Sequence, residues 1–172
     1  MQKLIVSFVV PTFNRSKYCI SLIKSISNVQ GEFEVIISDN STDKILYNYI
    51  ENNKIDRRIK YKYTDEQLNM TQNINRAISF ANGYYLCCIG DDDTIMPSCV
   101  TYLDEFKKKG VDIISPKITI NYCWPDFSSR YFKHAHKSRL YYRFSKPYVK
   151  RINSIESYKE ALNNCFQGTG GM

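Results

Sequence analysis

Apolar and polar residues along this protein fall into short blocks whose period switches between two and about 3.6, the signature of strands alternating with helices. Residues 4–10 form a β-rich apolar run stopped by Pro11, which reads as a buried strand. Residues 15–27 set Cys19, Leu22, Ile23 and Ile26 on one helical stripe. A second strand covers 33–38 and runs into Asp39-Asn40-Ser41-Thr42-Asp43, a loop of turn and cap residues. Ile45, Leu46, Tyr49 and Ile50 mark a short helix, and residues 59–63 a third strand. The clearest helix follows, with Thr71 as cap, Ile74, Ala77, Ile78 and Ala81 on its inner face and Asn82-Gly83 closing it. Residues 84–89 are a strand that delivers directly into Gly90-Asp91-Asp92-Asp93. Pro97 in a first turn starts another helix with Val100, Leu103 and Phe106 inward, and 111–115 is a further short strand.

This βαβα order predicts an α/β domain with a mainly parallel sheet flanked by helices. In such sheets ligands bind beyond the carboxyl ends of the strands. Three polar clusters lie at those ends: Thr12-Phe13-Asn14-Arg15, Asp39-Asn40-Ser41 and Asp91-Asp92-Asp93. Beyond Pro116 the pattern weakens. Residues 117–123 alternate like a strand, the stretch to Arg151 has no clear period, and a helix resumes over 153–164, with Asn153 and Glu156 placed as a capping box.

A length of 172 residues suits one ordinary domain, able to bury roughly 70% of its unfolded surface. With 43% hydrophobic and 24% charged residues the protein reads as soluble and globular, and no stretch approaches the ~20 apolar residues of a membrane-spanning helix. The apolar run after Lys3 is too short, and lacks the cleavage site, to be a signal peptide. Cys19, Cys87, Cys88, Cys99, Cys123 and Cys165 contain no C-x-x-C pair, so the expectation is reduced, mostly buried thiols in a cytoplasmic protein rather than a disulfide framework.

Charge changes the picture at one place. Residues 1–129 balance 15 Lys/Arg against 15 Asp/Glu, whereas 130–172 hold nine basic and two acidic residues and so carry the whole net +7. The stretch that opens on Arg130 and closes on Arg151 interleaves these cations with Tyr131, Phe132, Tyr141, Tyr142, Phe144 and Tyr148. It suits a solvated cover over the sheet edge or a peripheral contact with an anionic membrane surface; a nucleic acid ranks below both. His134 and His136 are read as a surface loop, since no further ligand joins them.

Three adjacent carboxylates at a strand end repel one another unless a cation or hydrogen-bond donors offset them. Mg²⁺ or Mn²⁺ prefers oxygen ligands, and one or two carboxylates plus substrate phosphates suffice for Mg²⁺. The cluster therefore reads either as a metal–diphosphate site or as a solvated acidic loop in which Asp93 caps the next helix.

Four segments go further. Ser7-Phe-Val-Val-Pro-Thr-Phe-Asn-Arg15, Val35-Ile-Ile-Ser-Asp-Asn-Ser-Thr-Asp43, Asn75-Arg-Ala-Ile-Ser-Phe-Ala-Asn-Gly-Tyr-Tyr-Leu86 and Gly90-Asp-Asp-Asp-Thr-Ile-Met-Pro97 stand in this order over residues 4–115. Together they resemble the family 2 glycosyltransferases, an inverting family with the GT-A fold. The resemblance implies a Rossmann-like nucleotide-sugar-binding core over 1–116, followed by the start of an acceptor-side portion over 117–172. It implies donor contacts from Thr12, Asn14, Asp39, Asn69, Asn75 and Asp91, with Asn75 serving equally as a support of the loop. It implies Asp92, joined by Asp93, as ligand of Mn²⁺ or Mg²⁺, a UDP-sugar as donor, and a glycan or lipid-linked acceptor. Two positions depart from the family pattern. Gly90 stands where the first Asp of D-x-D is usual, so the ligands must come from Asp91, Asp92 or Asp93, and Ile74 stands where Arg is common.

The family's catalytic base is a carboxylate later in the sequence. After Asp112 only Asp126, Glu156 and Glu160 occur, none in a recognisable motif, and the Gly168-Thr-Gly-Gly-Met172 ending resembles the segment that precedes that base. The base is accordingly expected beyond residue 172, which makes the 172 residues a C-terminally truncated enzyme, poor in transfer. Asp91-x-Asp93 also resembles an aspartyl-nucleophile phosphatase loop, but Ile95 replaces the expected Thr or Val and the loop lies mid-sequence. A non-enzymatic nucleotide- or polyanion-binding module is the remaining alternative.

Overall fold

The structure, a computed structural model, describes residues 4–115, 118–121, 141–144 and 148–150. The chain divides into two compact units, Met1–Lys109 and Gly110–Met172. The first holds strands β1 (Val6–Thr12), β2 (Phe33–Asp39), β3 (Ile59–Tyr63) and β4 (Tyr85–Cys88). Between and after them come helices α1 (Ser16–Ser25, extended by a 3-10 turn Ile26–Asn28), α2 (Ile45–Asn52), α3 (Met70–Ile78) and α4 (Cys99–Lys108). The four strands form one parallel sheet in the order β3-β2-β1-β4. The chain winds outward from β1 to β3, and α3 then carries it back across the sheet to β4, on the other side of β1. That reversal of direction beside β1 is where open α/β sheets leave a crevice.

The apolar pattern explains the layers. Every residue of β1 except Pro11 is buried, and so is every residue of β2, which is why the two central strands are mostly apolar on both faces. Cys19, Leu22, Ile23 and Ile26 are all buried, as their stripe requires. On the α3 face, Val9, Ile36 and Ala77 form a buried cluster with Ile78, Phe80 and Ala81 against it. Each fully buried Val or Ile contributes about 1.5–3 kcal/mol, so these two strands supply most of the driving force for the sheet.

Polar groups inside this core are paired. Glu34, on β2, accepts from Ser7 Oγ at 2.6 Å and from the Asn82 backbone N–H at 2.7 Å, while Lys60 Nζ lies 2.5 Å from its other oxygen. Ser7 Oγ in turn accepts from the Gly83 N–H at 2.7 Å. The network fastens the α3–β4 connection to the start of β1. Gly83 has no room for a side chain there, since a Cβ would fall 2.4 Å from the Ser7 nitrogen.

Several expectations need correction. The cap of α3 is Asn69, not Thr71: Asn69 and Gln72 form a reciprocal capping box, and Thr71 lies inside the helix. The helix ends at Ile78, so Ala81 packs from the following turn. Pro97 sits in a turn closed by Cys99 N–H donating to Met96 O, ahead of α4, whose N-cap is Ser98. Asp93 does not cap α4; its carboxylate is held within its own turn, as described below. Of the four described cysteines only Cys19 is buried; Cys87 and Cys99 are half-buried and Cys88 is exposed, so the thiols are not mostly buried.

In the second unit, β5 (Ile113–Ser115) pairs antiparallel with β8 (Tyr148–Lys150), and β6 (Ile118–Asn121) with β7 (Tyr141–Phe144). The stretch without a clear period thus contains two short strands, each too brief to show alternation. The helix expected over 153–164 and the two histidines lie outside the described residues. Among the described residues no helix is long and apolar enough to cross a membrane.

Candidate functional site

Parallel pairing sets the carboxyl ends of β1, β2 and β4 side by side, with Thr12 opposite Asp39 and Val9 opposite Cys88. A cavity of about 570 Å³ opens there, lined by Thr12, Phe13 and Arg15 after β1, Asn40 after β2, Leu68, Met70 and Asn73 at α3, and Gly90, Asp91 and Asp92 after β4.

Asp91 is the buried anchor of this cavity, only 5% exposed. Its Oδ2 accepts from Thr12 Oγ1 at 2.7 Å and its Oδ1 from Arg15 Nε at 2.7 Å. The same guanidinium donates from Nη2 to Asp92 Oδ2 at 2.5 Å, and its central carbon lies 4.5 Å from the Tyr18 ring centroid. The hydrogen bond to Asp91, opposed by burial and reinforced by the charges of both aspartates, raises the Arg15 pKa above its ordinary value, so the side chain stays cationic. Asp92 Oδ1 accepts no hydrogen bond among the described residues. Asp93 turns away: its Oδ2 accepts from the Gly90 N–H at 2.7 Å and its own N–H donates to Gly90 O. Gly90 suits this tight loop, because a Cβ there would meet Asp92 Oδ1 at 2.7 Å.

The rest of the rim is built from asparagines. Asn73, buried on α3, donates to Thr12 O, Ser38 O and Asn40 Oδ1 and accepts from Ser38 Oγ. Asn40 Nδ2 donates to Leu68 O at 2.9 Å, tying the loop before α3 to β2. Asn14 adopts the left-handed conformation (φ 54°), which Asn tolerates. Its N–H donates to Ser41 Oγ and its Oδ1 accepts from the Thr42 N–H, so it locks the β1 loop to the β2 loop.

Of the residues singled out from sequence, the structure brings Thr12, Asp91 and Asp92 together in the cavity wall. Asn14 is exposed beside it, cross-linking loops. Asp39 is fully buried, its oxygens taken by the Ser41 N–H at 2.8 Å and the Tyr61 hydroxyl at 2.6 Å. Burial and that hydrogen bond push the Tyr61 phenol well up. Asn69 serves as the α3 cap, and Asn75 is exposed on α3 outside the cavity lining. Sequence reasoning places Arg15 and Asn40 in the polar clusters at the strand ends without giving either a role, and misses Asn73. Arg15 is visible as the last residue of the first motif, and Asn40 as part of the second cluster; nothing in the sequence marks Asn73.

Chemically, the wall offers oxygen ligands and a cation. Both oxygens of Asp91 are engaged, which argues against its acting as a phosphatase nucleophile. Among the described residues no three His, Cys, Asp or Glu side chains converge to hold a metal on their own. Asp92, which lines the cavity and has one oxygen without a hydrogen bond among the described residues, fits a hard divalent ion that takes its other ligands from a substrate diphosphate and water.

Comparisons with known proteins bear on the family and the fold. The chain is 29% identical over 115 residues to abequosyltransferase RfbV of Salmonella typhimurium, covering 64% of this sequence and 34% of that protein. It is 30% identical over 107 residues to the GalNAc(5)-diNAcBac-PP-undecaprenol beta-1,3-glucosyltransferase of Campylobacter jejuni, covering 60% and 35%. Among solved structures it resembles S. aureus TarS 1-349, with a TM-score of 0.53 and 26% identity over 62% of this sequence and 33% of that one. The chain spans about a third of the length of these relatives. The fold is of the GT-A type shared by such transferases. The family profile described as Glycosyl transferase family 2 matches residues 7–166, nearly the whole sequence, and the protein belongs to that family.

Proposed function

We propose that this protein provides the donor-binding half of a sugar transfer from a nucleoside diphosphate, UDP by preference, to a glycan or lipid-linked acceptor with inversion. The observation that carries this reading is the Thr12–Asp91–Arg15–Asp92 series of contacts in the wall of the cavity at the β1/β4 crevice. Thr12 and Arg15 orient Asp91, and Asp92 beside it keeps one oxygen without a hydrogen bond among the described residues. Phe13, 46% exposed, and the neighbouring Leu68 and Met70 offer an apolar wall on which a base or ribose can lie. When bound, Mn²⁺ or Mg²⁺ would supply counter-charge for the departing diphosphate. Arg15 adds a fixed positive charge beside the same position. Deprotonation of the acceptor hydroxyl falls to a carboxylate outside the described residues.

Calorimetry with UDP tests this. Binding should depend on Mn²⁺, and Asp92→Asn should weaken it about tenfold or more; binding indifferent to both would refute the site. Parallel runs with GDP and dTDP rank the carriers.

The acceptor side is proposed to face an anionic membrane from the cytoplasm. Residues 130–151 carry eight Lys/Arg and no acidic residue, and one relative is named for a PP-undecaprenol substrate. Sedimentation with anionic vesicles, lost at high salt, would support this.

A further inference from the structure

Arg15 is the only cation among the described residues lining the cavity. An arginine fork commonly places both prongs on one carboxylate. Here the prongs are divided, Nε on Asp91 Oδ1 at 2.7 Å and Nη2 on Asp92 Oδ2 at 2.5 Å, so a single guanidinium bridges two neighbouring carboxylates. The two ends of this bridge are unequal. The Asp91 side chain is 7% exposed and also held by Thr12, whereas Asp92 is 53% exposed and, through these side chains, bonded to Arg15 alone. An ion pair in solvent is screened and weak, while a buried one with its remaining acceptor satisfied is costly to break.

Resting on the metal-assisted reading above, we propose that Arg15 is a built-in counter-cation that occupies the carboxylate pair before the donor arrives. It yields Asp92, but not Asp91, to an incoming divalent ion. Without some cation, Asp91 and Asp92 would repel each other at the cavity wall. Arg15 offsets that repulsion and thereby lowers the pull on a free metal ion. Metal uptake then becomes linked to the diphosphate, whose oxygens provide the ligands that tip the competition. A lysine could not reproduce the bridge, because a single ammonium lacks the flat fork.

Manganese binding by the 172-residue protein, followed by the electron paramagnetic resonance signal of free Mn²⁺, tests this without any measurement of transfer. In the absence of nucleotide, Arg15→Met should bind Mn²⁺ about 1.5- to fivefold more tightly than wild type, the range expected for losing an exposed ion pair. Arg15→Lys should fall between the two. Circular dichroism checks the fold of each variant. If Arg15→Met folds and its Mn²⁺ affinity is unchanged or weaker, the proposal is overturned; if it does not fold, Arg15→Lys decides, and an affinity equal to wild type overturns it. Failure of the metal-assisted reading looks different. In that case wild type takes up no Mn²⁺ even with UDP, and Asp92→Asn changes nothing. A gain in Arg15→Met would then describe a counter-cation that never yields Asp92, which overturns the proposal as stated, and no gain would overturn it as well.

Discussion

Asn73 commits its whole side chain to the ends of two strands and the loop behind one of them. Its Nδ2 reaches Ser38 O at 3.0 Å and Asn40 Oδ1 at 2.9 Å, with Thr12 O at 3.3 Å, and its Oδ1 takes the Ser38 hydroxyl at 2.6 Å. Replacing it by Leu keeps the volume but orphans buried acceptors and a donor, at about 1–3 kcal/mol for each group left unsatisfied. Asn73→Leu should therefore lower the Tm by several degrees and weaken UDP binding as well; an unchanged melting curve would contradict this account. Glu34 makes a different prediction. Burial pushes its carboxyl up, but hydrogen bonds from Lys60, Ser7 and the Asn82 N–H outweigh burial and hold it below the usual carboxylate range. A depressed folded pKa gives stability that is fully present above the unfolded value of about 4.3, and that is lost as pH falls through the folded value. Urea midpoints at pH 6 and pH 3 should thus fall less in Glu34→Gln than in wild type; equal losses would assign the acid sensitivity elsewhere.

At the scale of elements, the joint between α3 and β4 is the most constrained. A methyl group at position 83 would press on the Ser7 nitrogen at 2.4 Å and the Val6 carbonyl carbon at 2.5 Å, both backbone atoms that cannot rotate away. Gly83→Ala should cost about 1–3 kcal/mol by overpacking, seen as a lower urea midpoint. The other end of α3 is more forgiving. Asn69→Ala removes the capping box and should cost about 1 kcal/mol, while Asn69→Ser keeps a cap and most of that stability. If both variants also leave UDP affinity intact, Asn69 is a cap alone. These elements were largely legible in the sequence, because residues such as Cys19, Leu22, Ile23 and Ile26, or the runs of β1 and β2, declare their burial by spacing alone. What was not legible is what depends on register. Asn69 and Asn75 look like site residues and Asn73 like an unremarkable helical polar residue until α3 is laid across β1 and β2. Asp39 looks available until β3 brings Tyr61 beside it. The Arg15 bridge joins residues 76 and 77 positions apart, which no local pattern encodes.

For the whole molecule, ligand and fold are linked. A ligand that binds only the native state stabilises it by about 2.7 kcal/mol at a hundredfold excess over Kd, so UDP with Mn²⁺ should raise the Tm of wild type and do so far less in Asp92→Asn. The same linkage has a consequence in time. Thr12 ends β1, yet its partner Asp91 follows β4, and the two strands meet only when Val6 aligns with Tyr85 across 79 positions of sequence. Closing so long a loop is slow compared with forming helices or pairing β1 with β2. During refolding, helical signal should therefore recover before nucleotide affinity does. On the ribosome, nothing able to hold a nucleotide through the Thr12–Asp91 pair can exist until the acidic loop has left the exit tunnel, long after β1 itself has emerged.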